Sequence, residues 1–334
     1  RQYRLEPETW ERFGNRGREY SLRDQDFHLQ YLSEAIRVAE PRLFEDYVTW
    51  VIRLFDGLRF PPQSFATALE CTREVIRESY PDEISSRADA CLDAGLARAG
   101  ATSSEMPSFI DQETSLQSLA RRYLDALLGS DRRVASRLIL EAVDEGTPVK
   151  DIYTQVFQPC QWEIGRLWQT NRISVAQEHF CTASTQLIMS QLYPHIFATD
   201  RVGRRMVATC VGGELHEIGV RMVADFFEME GWDTYYLGAN TPADSVITAV
   251  ADQQADLLGI SVTMCFHTHL LAELISKVRS SYDRRLKILV GGYPFNVAPD
   301  LWRKVGADGF APDAQTGIAT ANRLLGNERA HEPE

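Results

Sequence analysis

Gly212-Gly213-Glu214-Leu215-His216-Glu217-Ile218-Gly219 is the stretch on which the reading of this chain turns. An apolar, β-rich run from Arg205 to Val211 leads into it. A segment with Ile218, Met222, Val223, Phe226 and Phe227 on one helical face leads out. Strand, glycine turn and helix in that order open a parallel α/β unit. Open sheets of this kind place ligands outside the carboxyl ends of their strands, and His216 falls there. Taken alone, a histidine in such a loop is more simply a polar loop residue.

Two later stretches change that reading. Ser261-Val262-Thr263 ends another β run, Leu257 to Val262, 45 residues beyond His216. Lys287-Ile288-Leu289-Val290 then leads into Gly291-Gly292. With the carboxylate-x-His-x-x-Gly pattern from Glu214 to Gly219, they resemble the cobalamin-binding domain shared by methionine synthases, mutases and corrinoid proteins. The resemblance implies that His216 is the lower axial ligand of cobalt, in place of the nucleotide base. It implies that Ser261, with Thr263 beside it, and Gly291-Gly292 line the slot for the nucleotide tail. Where the family usually has Asp, Glu214 stands, and a carboxylate there orients the imidazole through its other nitrogen. Further strands near Asp233 to Leu237 and Gly309-Phe310 alternate with helices near 243–254, 268–282, 297–305 and 314–325. The region 201–327 is therefore expected to be a doubly wound, flavodoxin-like α/β domain with five parallel strands, followed by a tail, 328–334. His267 and His269 follow the third strand and read as a solvated loop, with spare ligands or chromophore contacts as the alternative.

Before this domain, residues 111–200 are punctuated as four helices. Thr114 and Gln117 read as a capping box for the first, and Ser130 or Asp131 as the cap of the second. Gly146 ends the second helix and Thr147-Pro148 open the third, which Pro159 should bend. Ser174 and Gln177 form another capping box, opening a fourth helix to about His195. Trp168 is separated by nine residues from Glu178-His179, which brings the three to one end of the bundle. A core Trp and a solvated Glu-His pair would account for them, but the spacing is similar to CarH-type cobalamin photoreceptors. In that family Trp168, Glu178 and His179 would cover the adenosyl group of adenosylcobalamin, and the bundle would cap the upper face of the corrin. A His beside the Trp occurs in some of those proteins; here Gln169 stands there, which departs from trapping of cobalt between two histidines.

The first domain, 1–110, is expected to be all-helical. Residues 1 to about 22 read as a polar arm. Helical spacing runs from Asp24 to about Leu96, broken at Pro61-Pro62 and Pro81, and residues 99–110 read as a linker. His28, Tyr31, Tyr47 and Trp50 belong either to a packed bundle or dimerisation element, or to a chromophore pocket. CarH-type regulators begin with a basic DNA-binding helix-turn-helix, which this region does not resemble. It is more similar to the photocobilins, a resemblance that implies biliverdin as a second chromophore, with His28, Tyr47, Trp50, His267 and His269 as candidates to contact it.

Composition agrees with that outline. The 334 residues carry a net charge of -12, with 35 basic and 47 acidic side chains, which argues against a nucleic-acid surface. No apolar run reaches the ~18 residues of a membrane span. The six cysteines are scattered through apolar runs and read as reduced thiols of a cytoplasmic protein. Arg1 in place of an initiator Met points to a boundary upstream. The expected function is light sensing through bound adenosylcobalamin, with a change of domain packing or oligomeric state as output to a downstream effector or fused output domain. It implies a homo-oligomer that is not an enzyme, binds no DNA itself and touches no membrane. The alternative is a corrinoid methyl carrier serving partner methyltransferases. A cobalamin-dependent mutase fits less well, because no substrate barrel precedes the module.

Overall fold

In the computed structural model, which describes residues 1–101, 106–282 and 285–326, the aliphatic runs pair as one parallel sheet. Its strands are β1 (Arg205–Cys210), β2 (Asp233–Gly238), β3 (Leu257–Ser261), β4 (Lys287–Gly291) and β5 (Gly309–Phe310), in the order β2-β1-β3-β4-β5. The expected fold class is therefore what the chain adopts. Cys210 pairs with Ser261, and Ser261 with Gly291. The carboxyl ends of β1, β3 and β4 are thus level at the switch point between β1 and β3.

The all-helical first region contains α1 (Pro7–Arg37), α2 (Pro41–Gly57), α3 (Pro62–Ser79) and α4 (Asp82–Ala101). The bundle contains α5 (Gln117–Leu128), α6 (Arg132–Asp144), α7 (Gln158–Gln169) and α8 (Val175–Gln191). The sheet is flanked by α9 (Ile218–Met229), α10 (Ala243–Asp252), α11 (Thr268–Ser281) and α12 (Ala314–Gly326). Helix α9 is covered on both sides. Phe226 packs into the bundle core with Tyr153 and Ile188, whereas Phe227 packs under the sheet with Met206 and Trp232. The opposite sheet face continues into the first region, where Phe44, Val48 and Leu92 share a core with Val262, Cys265 and Phe295.

Four local expectations are corrected. Residues 1–22 are not a loose arm. A helical turn at Gln2–Leu5 precedes α1, which is kinked at Gly14. Trp10 is only 2% exposed, packed on Tyr3 and Phe60 with ring centroids 4.5 and 6.0 Å away. Its few aromatics are diluted by Arg and Glu, so no apolar period was visible. Thr114 and Gln117 form no capping box. The N-cap of α5 is Leu116, and Gln117 Nε2 instead donates to the Ile110 carbonyl at 3.2 Å. The third bundle helix is not one bent rod. A turn at Val149–Ile152 passes through a π-helical turn, Tyr153–Phe157, before α7. Pro159 follows at once, and its missing N–H and its ring disfavour a regular α ladder over that turn. The helix expected over 297–305 is two short ones, Tyr293–Val297 and Leu301–Lys304. The Asp131 and Ser174-Gln177 caps form as expected. The tail 328–334 and residues 102–105 of the linker lie outside the described residues. Among the described residues no helix is long and apolar enough to cross a membrane.

Candidate functional site

Glu214 organises the loops at the carboxyl ends of β1 and β3. Its side chain is 0% exposed, a position a carboxylate tolerates only when its lone pairs are satisfied. Oε1 accepts from the backbone N–H groups of Leu215 and His216 at 3.0 and 3.1 Å, and meets His216 Nδ1 at 2.5 Å. Oε2 accepts from the Thr263 and Met264 N–H groups, each at 2.9 Å, and meets His267 Nδ1 at 3.3 Å. Burial pushes this carboxyl up, but the bonds from His216, His267 and the two amides outweigh it. Its pKa is held well below the usual carboxylate range.

The bond from Glu214 also raises the His216 pKa against the effect of burial. With Nδ1–H given to the carboxylate, the imidazole keeps its Nε2 lone pair for a ligand. The His216 side chain is 59% exposed and Leu215 beside it is 71% exposed. At Gly219 nothing lies within 4 Å of where a Cβ would stand. An oriented imidazole on an open, partly apolar surface fits an axial ligand to cobalt, for which imidazole is a suitable donor.

The glycines set the backbone around it. Gly213 has φ +79°, its N–H donates to Asn240 Oδ1 at 2.8 Å, and an added Cβ would stand 3.2 Å from His267 Nε2. Gly292 has φ +103°, and a Cβ there would meet the Val262 carbonyl oxygen at 2.0 Å. Only glycine lets β4's exit pass that close to β3's. Ser261 and Gly291 stand in register beside it, and Thr263 is tied to Glu214 by its amide.

One acidic side chain of this site, Glu217, escaped sequence reasoning. Glu217 Oε2 accepts from Tyr236 OH and the Ala239 N–H, both at 3.0 Å, while Oε1 accepts from Gln186 Nε2 of α8 at 2.8 Å. It ties the β1 and β2 loops to the bundle; its only signal was being a second carboxylate in the same motif. His267, expected in a solvated loop, is 12% exposed and bonded to Glu214. His269 is likewise paired, its Nδ1 lying 3.2 Å from Glu34 Oε2 of α1. The loop is buried because α1 packs over it.

From the bundle, Glu178 accepts from Thr182 Oγ1 at 2.8 Å and pairs with His179 Nδ1. Its charge adds, after the bond and charge of Glu214, to raising the His216 pKa. Trp168 packs instead against Trp50 of α2, with ring centroids 6.0 Å apart. No ring contact or hydrogen bond joins Trp168 to the Glu178-His179 pair among the described residues. Gln169 donates its amide to the Trp50 carbonyl at 2.9 Å. Aromatic contacts then continue inward: Tyr47 lies parallel to Trp50 at 6.5 Å and stacks on Tyr31 at 3.8 Å. Tyr31 meets Phe266 edge-on at 5.2 Å, next to His267.

Two family models, each described as a B12 binding domain, match residues 204–319 and 119–193. The chain is a cobalamin-binding protein. Its B12-binding domain spans the sheet, and the second matched segment spans most of the bundle. A corrinoid protein of Desulfitobacterium hafniense (strain Y51) is 25% identical over 221 residues, 63% of this chain and 99% of that protein. Dimethylamine corrinoid protein 2 of Methanosarcina mazei is 29% identical over 146 residues, 43% of this chain and 66% of its own length. The monomethylamine corrinoid protein structure from Methanosarcina barkeri shares the fold, with a TM-score of 0.54 at 22% identity, covering 63% of this chain and 100% of that one.

Proposed function

We propose that this cobalamin-binding protein is a light sensor that holds adenosylcobalamin with its upper ligand enclosed by the chain's own domains. The observation that carries the reading is the docking of the first helical region on the end of the bundle bearing Trp168. Gln169 bonds the Trp50 carbonyl there, and Gly57 packs directly on the Thr170 backbone. The D. hafniense relative is matched over 99% of its length by 63% of this chain, so the remaining third is additional to it. When bound, the cofactor supplies an alkyl–cobalt bond that visible light breaks.

The chain's residues hold and report. His216, oriented by Glu214, would supply a nitrogen ligand to the cobalt. Ser261, Thr263, Gly291, Gly292 and Gly219 would border the nucleotide tail of the cofactor. Trp168, backed by Trp50, offers a flat apolar wall to an adenosyl group, and Glu178 offers an acceptor to its ribose hydroxyls, with His179 beside it. Loss of those contacts would leave polar groups unmatched, so the Gln169–Trp50 and Gln186–Glu217 joints are the places to repack. In this reading the chain is not itself an enzyme, acts in the cytoplasm as a homo-oligomer, and hands its signal to a downstream effector. A bilin as second chromophore belongs to the same reading. Its support is the aromatic stack through Tyr31, Tyr47 and Trp50 where a DNA reader would otherwise stand. Co-expression with a biliverdin source that yields no red-absorbing species would remove it.

A second reading is favoured by the relatives' names: a corrinoid methyl carrier, whose upper face a partner methyltransferase must reach. One experiment separates the two. Adenosyl-, methyl- and hydroxocobalamin are titrated in the dark, and the complexes are then exposed to green light while spectrum and solution scattering are followed. The sensor reading expects tenfold or better preference for the adenosyl form, lost in Trp168→Ala, and a change of mass or shape on illumination. Equal affinity for all three forms and an unchanged shape after complete photolysis would leave the carrier.

A further inference from the structure

Phe27, Tyr31 and Glu34 stand at i, i+4 and i+7 on one face of α1, and all three meet the loop that joins β3 to α11. The Phe27 and Tyr31 rings pack on Phe266 with centroids 6.2 and 5.2 Å away. Tyr31 OH lies 3.8 Å from Met264 Sδ. Glu34 is only 3% exposed, and its Oε2 lies 3.2 Å from His269 Nδ1. A buried carboxylate holds such a partner firmly, because leaving the pair unmade is costly. Among the described residues, the same loop supplies every donor to Glu214 Oε2: the Thr263 and Met264 amides and His267 Nδ1. The His267 side chain is 12% exposed. Phe266 closes it in edge-on at 4.5 Å, and so does the Gly213 turn, where an added Cβ would stand 3.2 Å from Nε2.

We infer that α1 is a working part of the cobalt site. His267, whose loop is held by Phe27, Tyr31 and Glu34, is a positioning residue that shares Glu214 with His216. It thereby sets how strongly the His216 imidazole donates to cobalt. A carboxylate divides its electron density among its donors, so each hydrogen bond made to Oε2 weakens the hold of Oε1 on the His216 Nδ1 proton. A less basic carboxylate leaves a less basic imidazole, and ligand basicity is what such an outer carboxylate tunes. The inference rests on His216 as the axial ligand and on no other part of the proposed function. It holds for a light sensor and a methyl carrier alike.

The test uses the full chain loaded with cob(II)alamin and reads the Co(II)/Co(I) midpoint potential, since an axial nitrogen stabilises Co(II) but not four-coordinate Co(I). His267→Leu removes one donor from Glu214. It should displace the equilibrium toward Co(II) by about threefold to tenfold, a negative shift of about 28–59 mV for one electron. His267→Asn, whose amide N–H reaches where Nδ1 stands, should return the equilibrium to within about twofold of the parent. Tyr31→Leu should shift the potential in the same direction as His267→Leu and raise amide exchange over residues 263–269 in the cofactor-free protein. Tyr31→Phe, which keeps the ring, should do neither. Circular dichroism checks folding; should Tyr31→Leu not fold, Phe27→Leu loosens the same contact from a 43% exposed position. Nitrogen splitting from ¹⁵N-histidine in the loaded parent reads the ligation itself, and its absence would remove the ligand and this inference together. With that splitting present, an unmoved or oppositely moved potential in His267→Leu would overturn the role of His267, as would equal shifts in His267→Leu and His267→Asn. Unchanged exchange and potential in folded Tyr31→Leu or Phe27→Leu would overturn the role of α1.

Discussion

At the scale of single residues, Glu214 sets the terms. It bonds His216 on one side and the β3 loop on the other, a span that aspartate, one methylene shorter, cannot cover from the same backbone. Glu214→Asp should therefore keep the His216 bond and cobalamin binding but lose about 1–3 kcal/mol of stability through the orphaned Thr263 and Met264 amides, read by urea denaturation. Asp225 behaves in the opposite sense. Burial raises its carboxyl to about 6, although Tyr153 OH donates to it at 2.8 Å. With the folded pKa above the unfolded one, its favourable contribution is full below about pH 4 and is lost as pH rises through about 6. Asp225→Asn should thus raise the free energy of unfolding at pH 8, by about 2–3 kcal/mol at most, with the gain vanishing near pH 4. A flat difference across that range would contradict the assignment. The motif around His216 was legible because strand, glycine pair, carboxylate and histidine are adjacent in sequence. The partners of Glu214 were not, because Thr263, Met264 and His267 reach it only once β1 and β3 lie side by side.

At the scale of elements, the glycines divide into two kinds. Gly292→Ala places a Cβ against the Val262 backbone at positive φ and should cost about 2–4 kcal/mol. Gly219→Ala meets nothing within 4 Å; stability should hold while cobalamin affinity falls, if the open space at the start of α9 is used by the corrin. Parallel urea and cobalamin titrations of the two variants distinguish backbone spacing from ligand space. The strands were readable as aliphatic runs, since both faces of a parallel sheet are buried. So were the Asp131 and Ser174-Gln177 caps, which are local. The start of α1 was not, because Trp10 and Phe13 reveal an inner face only against Phe60, with Tyr3 packed on Trp10.

At the scale of the molecule, the first helical region is seated on both other parts. Lys304 Nζ donates to the Val38 carbonyl at 2.7 Å, Tyr293 OH to Asp46 Oδ1 at 3.0 Å, and Gln169 to Trp50. No pattern in the sequence announced that seating, since each contact joins residues more than a hundred positions apart. Gln169→Ala combined with Trp50→Ala should raise amide hydrogen exchange in α2 and in the α7–α8 turn while leaving the sheet protected. Everything else rests on His216 holding the corrinoid through its imidazole. The most direct measurement is electron paramagnetic resonance of the reduced, cob(II)alamin-loaded protein, prepared once with ordinary histidine and once with ¹⁵N-histidine. An axial protein imidazole predicts a three-line nitrogen splitting that becomes two-line on labelling, and no label-dependent splitting in His216→Ala. A three-line pattern unchanged by the label, the signature of the cofactor's own base, would contradict the account.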